Sequence, residues 1–220
     1  MSIFDTIYKY NLWGNGSGTG SLPWNNRIYT SYLQKTLDNK RITNVLEIGC
    51  GDYRLWQNIN YNGKYTGLDI VKSIINDNNI KYGNENIVFI NWDISKENIK
   101  TENVDLIIIK DIFMHLPNNI ISQIISNIQD IAPKYILITE DTHYMNLNYD
   151  IMHGMYRPLY IDKYMHKNYM LHDELYYYEL TYIIYIMLIS ILVLFNKLFI
   201  LLLFLWIPKK RISLFKHLSS

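Results

Sequence analysis

The chain has 220 residues, 49% of them hydrophobic, and a formal net charge of +1 from 21 basic and 20 acidic side chains. This length allows one substantial core with an appendage. The balanced charge disfavours a nucleic-acid substrate, because phosphate recognition requires a basic excess or stripe, and none is visible before residue 208. The single cysteine, Cys50, excludes an internal disulfide and fits a reducing compartment, so we expect a cytoplasmic protein.

The N-terminal forty residues contain a glycine-rich loop between two predicted helices, over 3–12 and 25–39. The loop, residues 14–21, holds four of the chain's ten glycines. Two interpretations stay open for it: a flexible joint, or a loop that folds over a ligand and is ordered by it. Trp13 and Trp24 flank the loop, and a mere spacer seldom has an aromatic side chain at each end.

From residue 41 onward, apolar strands alternate with helices. The alternation predicts an α/β fold: a Rossmann-like, doubly wound, mostly parallel sheet with helices on both faces. Strands are predicted near 44–49, 64–69, 87–91, 104–110 and 134–140, and helices near 53–60, 71–79 and 118–130. Such sheets bind ligands at the carboxyl ends of their strands. Four acids lie at or beside those ends, so we expect one shared site: Glu47, Asp69, Asp93 and Asp111.

The first strand runs directly into a glycine turn, and residues 45–51 read Val-Leu-Glu-Ile-Gly-Cys-Gly. Such a turn is expected to leave backbone N–H groups beside a ligand. Asp69 ends the second strand, eighteen residues after Gly51, where an acid can bind both hydroxyls of a ribose. Together they indicate an adenosine-type cofactor. Arg54 stands where a dinucleotide-binding turn needs its last glycine, which disfavours an oxidoreductase, and no phosphate loop is present.

Residues 45–52 resemble the first motif of class I S-adenosylmethionine-dependent methyltransferases, although Tyr53 replaces the third glycine common in that family. Residues 65–71 resemble the family's second strand, and residues 91–94 resemble the position that contacts adenine. Residues 111–116 resemble its Asp-x-x-x-His-Leu signature after the fourth strand.

A narrower resemblance covers roughly residues 4–160 and is to a methyltransferase-like group, many of whose members have no assigned substrate. Residues 17–21 read Ser-Gly-Thr-Gly-Ser as in that group, and three further segments match it: residues 50–52 with Trp56, residues 148–151, and residues 157–159.

The resemblance implies a methyltransferase with S-adenosylmethionine as its cofactor. The cofactor-binding residues that it implies are Glu47, Gly49, Cys50, Gly51, Asp69, Ile70, Asp93, Ile94 and Lys110. The candidate catalytic residues are Asp111 and His115, four positions apart and hence on one face of a helical turn. Histidine suits a general base because its pKa lies near neutrality. Asp111 can instead shape the loop or cap a helix, and His115 can instead pack.

The expected acceptor is a small or glycan-like molecule with a hydroxyl or an amine. Arg157, His153 and His143 follow the fifth strand, and Arg157 can hold an acidic group of the acceptor or form a structural ion pair. The spacing of the six histidines indicates no metal site. Cys50 is more readily explained as a small turn residue than as a nucleophile. The alternative function is a catalytically degenerate, membrane-tethered scaffold.

Residues 180–207 contain one charge, Lys197, and are followed by the basic residues Lys209, Lys210 and Arg211. This pattern predicts a hydrophobic C-terminal helix that crosses a membrane once as a tail anchor. Three alternatives compete: final core elements of the sheet, a partner-binding helix, or a tail of little consequence. The predicted units are therefore residues 1–40, a cofactor-binding domain over 41–165, and a tail over 176–220.

Overall fold

The computed structural model describes residues 2–101, 103–142, 148–165, 169–177 and 209–218. Four α-helices lie in this part of the chain: α1 (Ile3–Lys9), α2 (Arg27–Asn39), α3 (Lys72–Tyr82) and α4 (Asn118–Ile131). The strands are β1 (Asn44–Ile48), β2 (Lys64–Asp69), β3 (Ile87–Asn91), β4 (Leu106–Lys110), β5 (Tyr135–Thr142), β6 (Tyr169–Tyr177) and β7 (Lys209–His217). They form one sheet in the order β3-β2-β1-β4-β5-β7-β6.

The first five strands are parallel and lie where the alternating pattern predicts them, which confirms the Rossmann-like fold. The chain order reverses at β1, which pairs with β2 on one side and β4 on the other. Ligands bind such sheets beside the carboxyl ends at that reversal. The helix predicted near 53–60 is instead a short 3₁₀ helix, Arg54–Asn58. Tyr53 precedes it in the left-handed region, with φ of 57°, so no regular α-helix begins there.

Apolar side chains of the sheet point alternately into two cores, one on each face. On β4, Ile107 and Ile109 pack toward α4, whereas Leu106 and Ile108 pack toward α2. The buried face of α4 has the 3.6-residue spacing that a helix on a sheet requires: Ile121, Ile124, Ile125 and Ile128. Because both faces are covered, the central strands are apolar on both sides, and polar groups collect at the strand ends.

The last two strands, β6 and β7, were not predicted, and they revise the view of the C-terminal segment. β7 lies between β5 and β6 and is antiparallel to both. Its Ile212, Leu214 and Phe215 are buried in the cores. Residues 209–217 therefore belong to the sheet, and the predicted separate tail over 176–220 is wrong for this part.

The predicted hydrophobic helix at 180–207 lies outside the described residues. The single membrane crossing is not supported by the strands on either side of it, because Lys210 pairs with Tyr177 in the ladder between β7 and β6. Among the described residues, none of the helices is long and apolar enough to cross a membrane.

A buried ion-pair cluster joins β7 to its neighbours. The guanidinium of Arg211 lies 3.2 Å from the Glu140 carboxylate of β5, and it also contacts Asp162 and the Glu174 carboxylate of β6. Arg211 and Glu140 are almost fully buried. A buried charge that loses its partner is expensive, so this cluster makes the position of β7 strongly dependent on Arg211.

We predict that Arg211→Met lowers the free energy of unfolding by about 3–5 kcal/mol, because it leaves the buried Glu140 without its cation. Urea denaturation monitored by circular dichroism measures this change. The matched control is Lys216→Met, an exposed position on the same strand, which should leave the midpoint almost unchanged. Equal effects of the two substitutions would show that the cluster does not hold β7.

Candidate functional site

A cavity of about 380 Å³ opens at the carboxyl ends of β1, β2 and β4. The glycine turn and Asp69 lie at one end. At the other end, which we name the acceptor end, lie Trp13, Asp111, His115, Asp141, Tyr156 and Lys210. All nine predicted cofactor-binding residues and both predicted catalytic residues line this one cavity. The expectation of one shared site at the strand ends is thus met by the geometry.

The glycine turn has a backbone that other residues adopt only with strain. Gly49 and Gly51 have φ of 70° and 51°. A Cβ atom on Gly51 would lie 2.6 Å from Ser17 Oγ, and one on Gly49 would lie 2.3 Å from the Ile112 side chain. Both positions therefore need glycine for conformation and for space.

The amides of this turn are not unpaired, contrary to the expectation from the strand-turn pattern. The N–H groups of Gly49 and Cys50 donate to the Leu68 carbonyl, and Gly51 N donates to Asp69 Oδ2 over 3.1 Å. The turn is thus fixed to the end of β2 by the protein itself. A cofactor would meet a preformed surface rather than a set of free donors.

Asp69 is buried at the end of β2 and bound through both carboxylate oxygens. In addition to the bond from Gly51, its Oδ1 accepts from Val71 N over 2.9 Å. Burial raises its pKa, and the backbone N–H donors oppose that rise. The next residue, Ile70, also lines the cavity. This arrangement presents a fixed carboxylate where the predicted ribose contact is expected.

Glu47 lies in the floor of the cavity and is held by two aromatic donors. Its Oε2 accepts from Trp56 Nε1 over 2.7 Å and from the Tyr65 hydroxyl over 2.5 Å. Burial raises the pKa of Glu47 to about 7, although both hydrogen bonds and the charge of Lys110 favour the ionised form. Glu47 therefore changes charge near neutral pH, inside a site expected to hold a cationic ligand.

We predict that Glu47→Gln stabilises the empty protein above neutral pH. Because the folded-state pKa of Glu47 is raised, its contribution to stability is present below the unfolded-state pKa and is lost as the pH rises through about 7. Glutamine keeps an oxygen that can accept both hydrogen bonds. We therefore expect the free energy of unfolding of the variant to exceed that of the native chain by on the order of 3 kcal/mol at pH 8, and by little near pH 4.

Urea denaturation at several pH values measures this gain. Glu85→Gln, at an exposed loop position, is the control for a general effect of removing a carboxylate. If the difference between Glu47→Gln and the native chain is the same at both pH values, Glu47 does not titrate with a raised pKa.

Asp93 and Ile94 line the cavity after β3. Asp93 Oδ1 accepts from Ser95 N over 3.1 Å and from Ser95 Oγ over 2.6 Å, and its Oδ2 lies 2.8 Å from Lys96 Nζ. These contacts hold the carboxylate at the cavity wall. A contact with adenine remains a prediction for this residue.

The glycine-rich loop at residues 14–21 packs against the glycine turn. Ser17 Oγ lies 2.8 Å from the Tyr8 hydroxyl and accepts from Asp52 N over 3.1 Å. Lys110 Nζ donates to the Gly20 carbonyl over 3.1 Å. These bonds favour a loop that covers the ligand over a plain joint. Its ordering by cofactor stays a prediction.

Asp111 is poorly suited to accept a proton. It lies between two ammonium groups, because it forms an ion pair with Lys110 and lies 2.9 Å from Lys210 Nζ. Burial alone would raise its pKa, but these two charges hold the pKa of Asp111 well below its usual range. Thr139 Oγ1 also donates to it over 2.8 Å. We therefore revise the predicted role of Asp111 from base to an anchor for the two lysines.

His115 keeps the properties of a general base. Its Nδ1 lies 3.0 Å from the Met155 carbonyl, which can only accept, so Nδ1 carries the proton and Nε2 has a lone pair. Burial lowers the pKa of His115 below 6.5. The ring also packs on Trp13, with 5.0 Å between centroids. The imidazole is thus neutral at physiological pH and fixed in orientation.

Two other sequence candidates have structural explanations. Arg157 is fully buried, and its guanidinium donates to the Leu116 carbonyl over 2.8 Å and to Asn118 Oδ1 over 2.6 Å. It is not among the residues that line the cavity, which disfavours the acceptor contact of the two interpretations and favours a structural role, here through a carbonyl and an amide oxygen. Burial raises the pKa of the Cys50 thiol, which opposes a nucleophilic role. His153 lines the cavity, whereas His143 lies outside the described residues.

Three residues of the acceptor end were not predicted. Lys210 of β7 lies 2.8 Å from the Asp141 carboxylate, and Asp141 Oδ2 accepts from the Tyr156 hydroxyl over 2.9 Å. Asp141 follows the rule that acids at strand ends face the site, and that rule applied to β5 would have found it. Lys210 had no such signal. In the part of the chain that the structure describes, no cluster of three metal-binding side chains is found.

A family model described as "Methyltransferase domain" matches residues 39–152, which is more than half of the chain. The chain belongs to the class I S-adenosylmethionine-dependent methyltransferase family. A search of curated protein sequences finds no significant match.

Solved structures of methyltransferases share this fold. The N-methyltransferase NodS from Bradyrhizobium japonicum WM9, in complex with S-adenosyl-L-homocysteine, aligns with a TM-score of 0.67 over 99% of this chain and 100% of its own, at 12% identity. Magnesium protoporphyrin IX methyltransferase from Synechocystis PCC 6803, with bound S-adenosylmethionine, aligns with a TM-score of 0.58 at 12% identity. The alignment covers 99% of this chain and 98% of that protein. The O-MT segment of StiE aligns with a TM-score of 0.59 at 14% identity, and the alignment covers 100% of this chain and 83% of that segment.

The residues of this methyltransferase fit its cofactor. S-adenosylmethionine needs a carboxylate for its ribose, a turn with no side chains in the way, and room for its adenosine and methionine parts. The cavity provides these through Asp69, the Gly49–Gly51 turn and its volume. The cofactor is net positive, and most charged side chains that line the cavity are acidic.

Proposed function

We propose that this methyltransferase modifies a hydroxyl or an amine of a small-molecule or glycan-like acceptor, bound at the acceptor end of the cavity. The observation that carries the proposal is that one continuous cavity joins the cofactor turn to the fixed, neutral imidazole of His115. A bound methyl donor and a proton acceptor would thus share one cavity, which is the arrangement that group transfer requires.

In this proposal the cofactor is held by residues at the ends of β1 to β4. Asp69 binds the ribose, Asp93 and Ile94 bind the adenine, and Glu47 with the Gly49–Gly51 turn faces the methionine part. Cys50, Ile70 and Lys110 complete the wall. The bound sulfonium supplies an electrophilic methyl group. The protein contributes mainly by positioning the acceptor atom in line with that group.

His115 serves in this proposal as the general base. Its Nδ1 proton is bound by the Met155 carbonyl, so Nε2 can take a proton from the acceptor. Asp111 does not compete for that proton, because its pKa is far lower. Lys110 and Lys210 hold Asp111 away from protonation and keep the wall rigid.

The similar structures include both an N-methyltransferase and an O-MT segment, so the proposal includes both nitrogen and oxygen as the acceptor atom. The alternative of a degenerate scaffold is less well supported. A scaffold gains nothing from a carboxylate with a pKa of about 7 and a neutral imidazole in one cavity. The proposed function does not depend on residues 180–207, which the structure does not describe.

We predict that the full-length chain binds S-adenosylmethionine and S-adenosylhomocysteine and shows no measurable affinity for NAD. Asp69→Ala should weaken cofactor binding by about 1.5–3 kcal/mol per lost charged hydrogen bond, roughly ten- to a hundred-fold. Isothermal titration calorimetry measures this change.

Asp69→Asn is the matched variant, because it keeps the shape of the side chain and removes its charge; its amide nitrogen cannot accept, so it also loses one of the two hydrogen bonds from Gly51 N and Val71 N. A thermal melt of each variant separates loss of binding from loss of folding. Tight binding of NAD together with no binding of the sulfonium would refute the proposed function.

We predict that His115→Ala lowers the turnover number while leaving the affinity for S-adenosylhomocysteine within about two-fold, because His115 lies at the acceptor end. The native rate should rise with pH and level off on the acid side of the ordinary histidine pKa, because burial lowers the pKa of His115. Both are measured as methyl transfer to an identified acceptor.

The control is His153→Ala, which removes another imidazole from the same cavity and should change the rate less. An unchanged rate and pH profile in His115→Ala would exclude His115 as the base. Loss of folding in that variant would instead indicate that the ring mainly packs against Trp13.

A further inference from the structure

We propose that the methyl acceptor is an amine that enters the acceptor end as an ammonium ion. This inference rests on the proposed function and narrows it to one class of substrate. Three features of the described residues favour an amine there: the ion pairs that already occupy the two lysines, the aromatic rings beside His115, and the proton-accepting nitrogen of that histidine.

The charges that line the cavity are predominantly negative. Six carboxyl side chains face it, against three basic side chains: Glu47, Asp52, Asp69, Asp93, Asp111 and Asp141 against Arg54, Lys110 and Lys210. With Glu47 protonated, five acids still exceed three bases. This excess lies at the cofactor end, in Glu47, Asp69 and Asp93, where the net positive cofactor is expected to bind. At the acceptor end the carboxylates of Asp111 and Asp141 are matched by the ammonium groups of Lys110 and Lys210, so among the described lining residues both cations there already have an anionic partner. An anionic acceptor is therefore disfavoured.

The positive side chains at the acceptor end are bound to the acids around them. Lys110 Nζ pairs with Asp111 and donates to Gly20 O, and Lys210 Nζ lies 2.9 Å from Asp111 and 2.8 Å from Asp141. An anionic acceptor would have to break these contacts to reach the lysines. An ammonium ion would leave these ion pairs in place, because aromatic faces rather than the paired carboxylates would hold it.

Two aromatic rings, those of Trp13 and Tyr156, line the cavity beside His115. The Trp13 ring is 5.0 Å from the His115 ring, and the Tyr156 ring is 6.1 Å from it on the same cavity wall. Phe4 and Tyr8 pack edge-on against Trp13, with centroids 5.9 and 6.2 Å away, and so fix its orientation. Aromatic faces bind ammonium groups through cation–π attraction, and tryptophan does so best.

The proton chemistry also suits an amine. An ammonium ion loses one proton to His115 Nε2, which becomes an imidazolium. The lone pair of the resulting nitrogen then forms the new bond to the methyl carbon, while the carbon–sulfur bond breaks and its electron pair stays on sulfur as a neutral thioether. An alcohol holds its proton far more tightly than an ammonium ion, so a neutral imidazole of lowered pKa is better matched to the amine.

The test uses the full-length chain saturated with S-adenosylhomocysteine and three probes of one shape: benzylamine, benzyl alcohol and benzoate. At neutral pH these are cationic, neutral and anionic. We expect calorimetry to give the tightest binding for benzylamine and the weakest for benzoate. Benzyltrimethylammonium, which has no N–H donor, should also bind if the aromatic rings contribute.

Trp13→Leu removes the ring but keeps an apolar side chain. We expect it to weaken benzylamine binding by roughly two- to thirty-fold, the range of cation–π energies, and to weaken benzyl alcohol binding less. Trp13→Phe should restore part of the loss. The matched control is Trp24→Leu, which removes an exposed ring outside the cavity and should change neither probe. An unchanged affinity for S-adenosylhomocysteine shows that each variant is folded.

The outcomes separate this inference from the proposed function. If benzyl alcohol or benzoate binds as tightly as benzylamine, or if benzylamine does not bind, the amine assignment is wrong while methyl transfer to another acceptor stands. A loss in Trp13→Leu that is the same for benzylamine and benzyl alcohol also overturns it. A native chain that binds no S-adenosylhomocysteine refutes both.

Discussion

The register between β5 and β7 is the constraint on which the rest of the structure depends. β5 has the consecutive buried acids Glu140 and Asp141 just before its last residue, and β7 begins with consecutive cations. In the ladder, Glu140 lies opposite Arg211 and Asp141 lies opposite Lys210. Because successive side chains of a strand point to opposite faces, one ion pair faces the core and the other faces the cavity.

This arrangement connects stability to function through adjacent residues. A shift of β7 by one residue would exchange the faces of Lys210 and Arg211 and leave both acids of β5 with the wrong partner. β6 and β7 are connected by residues 178–208 rather than by a short turn, so turn geometry does not set their register. The buried charges and the apolar Ile212 and Leu214 set it instead. The geometry of the acceptor end therefore depends on the correct pairing of β7 with β5, because Lys210 of β7 pairs with Asp111 and Asp141.

The sequence predicts the parts of the fold that local pattern determines. The five parallel strands, the glycine turn and the acid at the end of β2 each follow from a short stretch of chain with its own periodicity or spacing. β7 could not be found in that way, because its partners Glu140 and Asp141 are about seventy positions away. The same Lys210 that pairs with Asp111 and Asp141 was interpreted as a basic residue after a membrane span. The residues next to Lys210 in the sequence are indeed basic and apolar, but its partners in the structure, Asp111 and Asp141, are far away in the sequence.

The site residues divide by the same criterion. The acids at the ends of β1 to β4 were predicted, since the rule of strand ends applies to each of them separately, whereas Asp141 near the end of β5 was missed although the same rule covers it. The chemical state of each residue needed the structure. Asp111 was a candidate base from its position alone, but two ammonium groups lower its pKa and remove that role. His115 kept the role because Met155 fixes its tautomer and burial keeps it neutral.

The departure at Tyr53 explains how this chain keeps the family's site without the family's third glycine. Tyr53 has φ of 57°, a conformation that strains residues other than glycine. Its ring lies parallel to Trp56 with 6.1 Å between centroids, and 5.0 Å from the rings of both Tyr65 and Phe89. This packing offsets the strain. Trp56 and Tyr65 are also the two donors that hold Glu47, so the residue that replaces the glycine stabilises the aromatic pair that positions the buried carboxylate. The turn and the acid beside it are therefore linked by one aromatic cluster, and a change in either is expected to alter the other.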